Sequence, residues 1–422
     1  MPFPDIALDR TGTTGILAAK LWVPGGSSAD PSAQRGAHQL LGSLLTRGCE
    51  RLDHQEMADL VEGCGAALRC ETHEDELLIT LKCAAEDAPQ LLPLLGWMLL
   101  CPKLDPAQVR LERDLSLQAL QRLQEDPFHV AFDGWRKLAF GDGPYGHDPL
   151  GLTEEVELIR RKDLVPLAKA LPLQQGILAL AGDLPLELDL LLQQSLAFSE
   201  WPTEDDRQHT AEPLLAASQA DKTDTLGLGL QLQSTTQVVF ILGQPTLCQS
   251  IEDELALRLL QCHFGAGMSS LLFRCLREDH GVAYDVGVHY LTRLGPSPFL
   301  FHASSAIEKG SLALRLLLDC WQKMAHEPLT DQDLNLARAK FRGHIAHARQ
   351  TCSQRAERLV HLRGLGLPDD FDTRCLSLLP KMKSVDLQIA ACQHLNKPLL
   401  SLCGPEKCLE LLRQQWIKWI NQ

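Results

Sequence analysis

A stretch near the middle of the chain returns near its end. KDLVPLAKALPLQQGILALAGDLP, starting at Lys162, matches SVDLQIAACQHLNKPLLSLCGPEK, starting at Ser384, with Asp163 over Asp386 and Gly182 over Gly404. The displacement, 222 residues between the glycines (404 minus 182) and 223 between the aspartates (386 minus 163), also carries ILAAKLWVPGG at Ile16 onto VVFILGQP at Val238. Solenoid repeats run to about 20–50 residues, so this far longer period describes two copies of one domain. Each copy reads as strand, helix, paired strands, several helices and a last strand ending in glycine. The expected fold class is therefore α+β, two homologous domains, each a mainly antiparallel sheet with helices packed on one face. In the first copy, CGAALRCETHEDELLITLKCA from Cys64 alternates as a hairpin of half-buried strands does.

The stretch from Trp201 to Thr225, rich in Asp, Thr and Pro, has neither helical nor strand periodicity and places the join near residue 215. Domains are thus expected over residues 1–215 and 216–422. A chain of 422 residues, 45% hydrophobic and 22% charged, can bury two such cores without metals or disulfides. The longest apolar run, LLPLLGWMLLC from Leu91, is short and interrupted by Pro93 and Gly96, which makes it a core helix rather than a membrane span.

A net charge of −14, from 54 acidic against 40 basic side chains, opposes binding to nucleic acid or an anionic membrane. The 14 cysteines are scattered and contain no C-x-x-C, so zinc ribbons and dithiol redox motifs are not expected. They read as reduced, mostly buried small hydrophobes. The first residues, MPFPDIALDR, have the character of neither a secretory signal nor a transit peptide, and a cytoplasmic location is expected.

FGAGMSSLLFRCLREDHGVAYDV, from Phe264 to Val286, resembles the C-terminal-domain signature of the insulinase/pitrilysin-type metallopeptidases, the inverted zincins. Weaker matches follow the family in order: GAHQLLGSLLTRG at Gly36, LERDLSLQALQRLQEDPF at Leu111, GPYGHDPLG at Gly143 and LTDQDLNLARAKFRGHI at Leu329. The resemblance implies an active-site H-x-x-E-H on the first helix, where two His hold zinc and the Glu is the general base, with a third ligand from a later helix. Aligned on Gly36, Leu41, Leu45 and Gly48, this chain has Gln39 and Ser43 at the two His positions and Gly42 at the base position. Ala119 stands at the third ligand position, 76 residues after Ser43. These groups offer at best one weak amide oxygen to a metal. Sliding the match by one residue onto His38 leaves a single imidazole, with Gly42 four residues on.

What the resemblance preserves is an Arg/Tyr pair, here Arg277 and Tyr284 in LREDHGVAY. In the family this pair reaches across an enclosed chamber to the substrate, where a guanidinium and a phenol can hold a scissile-region carbonyl and favour its developing charge. The alternative for these residues is an ion pair of Arg277 with Glu278 or Asp279 and a Tyr284 packed in the core. GAGMSS at Gly265 lacks the ending of a phosphate loop and reads as a tight packing turn. His344 and His347 read as solvated helix residues, and Glu112 as a surface carboxylate pairing with a neighbour on its own helix.

The expected function is that of the zinc-less, non-catalytic subunit of a heterodimeric peptidase of this family. Arg277 and Tyr284 would bind substrate, and the chain would be inactive alone. No cofactor is expected in this chain. Zinc is expected in a homologous partner subunit carrying an intact H-x-x-E-H motif, and the substrates would be unfolded or short peptides. The alternative is a non-enzymatic scaffold or peptide-binding protein of the same fold.

Overall fold

The structure is a computed structural model, which describes residues 4–10, 12–49, 51–195, 201, 226–248 and 250–421. The proposed join near residue 215 lies outside the described residues. Two five-stranded sheets form, one from each copy of the repeat. The first holds β1 (Asp5–Asp9), β2 (Ile16–Pro24), β3 (Ala67–Thr72), β4 (Glu76–Ala84) and β5 (Ile177–Gly182), in the order β1-β5-β2-β4-β3. The second holds β6 (Leu228–Leu232), β7 (Gln237–Thr246), β8 (Asp285–Tyr290), β9 (Ser297–Ala306) and β10 (Leu399–Gly404), in the matching order β6-β10-β7-β9-β8. One pair in each sheet is parallel, β1 with β5 and β6 with β10; the other ladders are antiparallel. The fold class is α+β with two homologous halves, as the repeat required. The hairpin expected from Cys64 is the β3–β4 ladder, with Thr72 opposite Leu77.

The repeated aspartates have a definite local role. Asp163 and Asp386 both sit at the third position of a helix, Arg161–Ala170 and Ser384–His394, and each carboxylate accepts the backbone N–H just before the helix begins. The distances are 2.9 Å from Arg160 and 2.7 Å from Lys383. Both are thus N-terminal carboxylates that satisfy an amide the helix leaves unpaired and complement its dipole.

Alternation along β2 sorts its side chains to two apolar environments. Leu17, Ala19, Leu21 and Val23 pack with Leu40, Leu41 and Leu44 and with Leu91, Leu92 and Leu95 of the helix Ala88–Leu100. Ala18 and Trp22 face the other way, with Ala179 and Ala181 of β5. That second face is not left to solvent. The helix Cys352–Gly364, which comes from the second copy, lies on β1, β2 and β5 through Cys352, Ala356 and Val360. Reciprocally, the helix Pro127–Phe140 of the first copy lies on β6, β7 and β10 through Ala131, Phe132 and Trp135.

The exchange is symmetric, since the two helices occupy equivalent places in the repeat, each directly after a long helix, Pro106–Glu125 or Asp331–His347. Accordingly, Arg122–Gly146 clusters with the second sheet and Ala346–Phe371 with the first. Helices on one face of each sheet were expected; a single exchanged helix covers the other.

The two seals differ in chemistry. Under the Cys352–Gly364 helix, fully buried Lys20 donates to Glu357 at 2.7 Å, and alanines leave room for close approach. Burial pushes the Glu357 carboxyl up, but the hydrogen bond and charge of Lys20 more than offset it, leaving the group below the ordinary glutamate value. Under the Pro127–Phe140 helix the contact is aromatic. Phe132 stacks on Trp135, and the Trp135 indole N–H donates to the Gly243 carbonyl at 3.2 Å. Trp201, first residue of the expected linker, is buried, its indole N–H donating to the Leu173 carbonyl at 2.7 Å.

Candidate functional site

The helix Ala37–Leu45 carries Gln39, Gly42 and Ser43, three of the four positions that the family resemblance points to for metal and base. It opens at Gly36, whose backbone has φ +99 and where an added Cβ would fall 2.6 Å from the Leu150 carbonyl and 3.1 Å from the Gly151 α-carbon, so no other residue fits there without strain. Asp30 caps this end: its carboxylate accepts from the backbone N–H of Gly36 at 2.6 Å and of His38 at 2.8 Å, and meets the His38 ring Nδ1 at 2.8 Å. His38 is buried. Its imidazole is committed to holding the start of the helix, which accounts for a histidine one place away from the motif.

Gln39 and Ser43 stand one turn apart on the half-buried side of the helix, and the Ser43 hydroxyl donates to the Gln39 carbonyl at 3.1 Å. Ala119, half-buried on the helix Pro106–Glu125, presents only a methyl group. An amide, a hydroxyl already engaged and a methyl do not fit a zinc ion, which needs three or four thiolate, imidazole or carboxylate donors around one point.

Gly42 carries the change further. A Cβ added there would press on the Thr72 hydroxyl more closely than real side chains ever do, with Leu77 Cδ2 at 3.4 Å and Cys70 Sγ at 3.5 Å. Thr72 itself donates to the His38 carbonyl at 3.3 Å. Strand β3 therefore occupies the place a base at position 42 would need. This filling is not readable from the motif alone, because Thr72 lies 30 residues away.

The structure corrects the reading of Glu112. It is buried rather than on the surface, and its partner is Arg47, just past the end of the Ala37–Leu45 helix, with Nε donating at 2.7 Å. A carboxylate one helical repeat before Ala119 thus ties the two helices together. The GAGMSS turn packs as expected, since Gly265 lies so close to Val288 of β8 that a Cβ would fall 2.5 Å from its side chain. His344 and His347 are both exposed on the helix Asp331–His347.

Arg277 and Tyr284 come together. Phe273–Asp279 winds as a π-helix, a form concentrated at functional sites. The chain then reverses at Gly281, so that the Leu276 carbonyl accepts from both Val282 (2.7 Å) and Ala283 (3.2 Å). This closed turn brings the Arg277 guanidinium back to donate to the Tyr284 carbonyl at 3.1 Å, with its carbon 5.0 Å above the Phe273 ring.

Among the described residues Arg277 makes no ion pair with Glu278 or Asp279, and Tyr284 is 67% exposed rather than packed in the core. Tyr284 leads into β8, its N–H donating to the Ser304 carbonyl at 2.9 Å. The far end of that strand is fixed by Tyr290, whose hydroxyl donates to buried Glu254 at 2.5 Å; Arg258 supports the same carboxylate at 2.7 Å. Both residues of the pair are thus exposed on a hydrogen-bonded turn.

Two similar five-stranded α+β halves, each with the same strand order, define a tandem peptidase-type architecture. The family model "Insulinase (Peptidase family M16)" matches residues 5–150, and "Peptidase M16 inactive domain" matches residues 177–341. The chain belongs to this insulinase family.

Among curated relatives, an uncharacterized zinc protease of Mycobacterium bovis is 23% identical over 341 residues, 80% of this chain and 76% of that one. The non-peptidase homolog YmxG of Helicobacter pylori is 23% identical over 392 residues, 91% of this chain and 88% of its own. A solved structure described as the peptidase M16 inactive domain from Pseudomonas fluorescens superposes with a TM-score of 0.83 at 19% identity, covering 96% of this chain and 97% of that chain. Similarity therefore reaches proteins named as proteases and one named as a non-peptidase, and the residues of this chain must distinguish the two. No helix among the described residues is long and apolar enough to cross a membrane.

Proposed function

We propose that this chain is the zinc-less subunit of a two-chain insulinase-type peptidase. It contributes one half of an enclosed peptide chamber, and Arg277 and Tyr284 contact the substrate there. Zinc and the general base come from a homologous partner carrying an intact H-x-x-E-H motif, and this chain binds no metal of its own. The observation that carries the reading is the contrast between the two halves. The metal and base positions hold Gln39, Gly42, Ser43 and Ala119, while Arg277 and Tyr284 are kept solvent-facing on a closed, hydrogen-bonded turn.

A guanidinium and a phenol can both donate to a peptide carbonyl and stabilise negative charge that grows on it, a role useful only beside a nucleophile supplied elsewhere. Short or unfolded peptides suit such a site, and the acidic chain does not suit nucleic acid or an anionic membrane. Similarity to a named non-peptidase homolog supports a second reading, a scaffold or peptide-binding protein without turnover. Arg277→Ala and Tyr284→Phe in the assembled pair separate the two. A peptidase subunit loses turnover while the two chains stay associated, whereas a scaffold shows no change in any peptide hydrolysis the partner performs.

A further inference from the structure

The seal of the helix Pro127–Phe140 on the second sheet ends in histidines. The His302 ring of β9 meets the Phe128 ring edge to face, with centroids 5.3 Å apart at 85°, and Phe128 stands in the first turn of that helix, just past the cap Asp126. The His302 ring also lies over β8. Gly287 is its ladder partner there, and a Cβ on Gly287 would fall 2.6 Å from the His302 Nε2, so only glycine leaves room for the imidazole. The His302 side chain is 18% exposed. His289 of β8, itself exposed, lies beside it at 6.3 Å between ring centroids and reaches Phe132 at the same distance. Two rings from the strands and two from the helix thus make one cluster.

Charge reaches this cluster from its rim. From β8 a carboxylate oxygen of Asp285 stands 3.4 Å from the His302 Nδ1, but the Asp285 side chain is 69% exposed, where water screens its charge. From β7 the ladder partner of His302 is Ile241, which is uncharged. On the helix, Asp126 is engaged as the cap, and Asp133 pairs with His129 at 3.1 Å and with Arg136 at 2.7 Å. Arg136 and Arg293 add positive charge at His289. A charge placed on the largely buried imidazole therefore costs more than an exposed carboxylate offsets.

We infer that His302 is a pH-sensitive latch: uncharged, it seals the first turn of the helix Pro127–Phe140 against β8 and β9, and when protonated in mild acid it lets that turn open. Burial holds the imidazole below its ordinary value, and the nearby Asp285 offsets only part of this. The closed turn excludes a proton that the open turn accepts. Closure is therefore full above the ordinary histidine value of 6.5 and is lost as pH falls from there toward the lower folded value. The seal on the first sheet responds in a lower range. Beneath the helix Cys352–Gly364 the pair Lys20–Glu357 holds its carboxylate below the ordinary glutamate value of 4.5, and His361 stands 3.6 Å from Glu76, a pair that protonation strengthens.

Hydrogen–deuterium exchange of the full-length chain at about pH 7.5 and about pH 5.5, corrected for the intrinsic amide rate at each, tests the latch. Amides of residues 130–134 should lose protection by about tenfold or more at the lower pH, while residues 356–360 of the Cys352–Gly364 helix should not. His302→Gln, uncharged at both values, should hold the protection of residues 130–134 nearly constant between them. Asp285→Asn, which removes the carboxylate beside the imidazole, should deepen the fall seen in wild type. Equal protection at both pH values in wild type, a matching fall in both helices, or an undiminished fall in His302→Gln overturns the inference. Should His302→Gln not fold, a fall in Asp285→Asn no deeper than in wild type overturns it. None of these readouts uses peptide hydrolysis, so the latch and the peptidase reading stand or fall separately.

Discussion

The helix Ala37–Leu45 and the turn Phe273–Tyr284 hold the two sets of residues that the family resemblance singles out, and their side chains are engaged in opposite ways. In the first, the positions that the family resemblance points to for metal and base hold Gln39, Gly42 and Ser43, and the side chains around them are engaged in packing. Thr72 presses on Gly42, His38 is tied to Asp30, and Glu112 is paired with Arg47. In the second, a guanidinium and a phenol remain exposed on a π-helical turn that spends hydrogen bonds on its own shape. Buried apolar and paired polar atoms stabilise, which suits the first region to a structural part. Polar groups turned to solvent, as in the second, contribute little to stability and are free for other contacts.

Substitutions can break or sharpen this contrast. The largest effect is expected at Gly42→Glu, which restores a base in name only: it forces a charged side chain into the space held by Thr72, Leu77 and Cys70. Chemical denaturation should show a loss of about 3 kcal/mol, and a variant as stable as wild type would mean that the space is still open. Next comes Arg277→Ala, with peptide hydrolysis by the assembled pair expected to fall by about 100-fold, as for loss of one donor to a developing oxyanion. The stability of this variant should move by no more than about 0.5 kcal/mol; a large stability loss would return Arg277 to a structural role.

A smaller change concerns pH. Glu357 lies below its ordinary value in the folded chain, so the stability it contributes is present above the unfolded glutamate value of 4.5 and is lost as pH falls through the lower folded value. Denaturation midpoints followed from pH 6 to pH 3 (roughly the carboxylate range) should therefore fall less steeply in Glu357→Gln than in wild type. The smallest effect belongs to Tyr284→Phe, which removes one hydroxyl: turnover should drop about tenfold or less, with unchanged folding.

Much of this was legible in the residues. The period between Gly182 and Gly404 gave two copies, and the two sheets share one strand order. The motif alignment drew attention to Gln39, Gly42, Ser43 and Ala119, and the LREDHGVAY stretch to Arg277 and Tyr284, which the fold brings into contact. Three things were hidden for physical reasons. Strands β1 and β6 are five residues each, too short to show a period, and are held by parallel pairing to β5 and β10. The exchange of Pro127–Phe140 and Cys352–Gly364 leaves each helix amphipathic as before, since the pattern says which face is buried but not against which sheet. Long-range pairs such as Arg47 with Glu112 and Lys20 with Glu357 carry no local spacing to read.

The central claim is that the chemistry is divided between two chains. The direct measurement is hydrolysis of a fluorogenic peptide by a zinc-bearing homologue alone, by this chain alone and by the two mixed, with zinc content determined for each. The account predicts no turnover and no bound zinc for this chain, and turnover in the mixture well above that of the homologue alone. Stoichiometric zinc and peptide cleavage by this chain in isolation would contradict it.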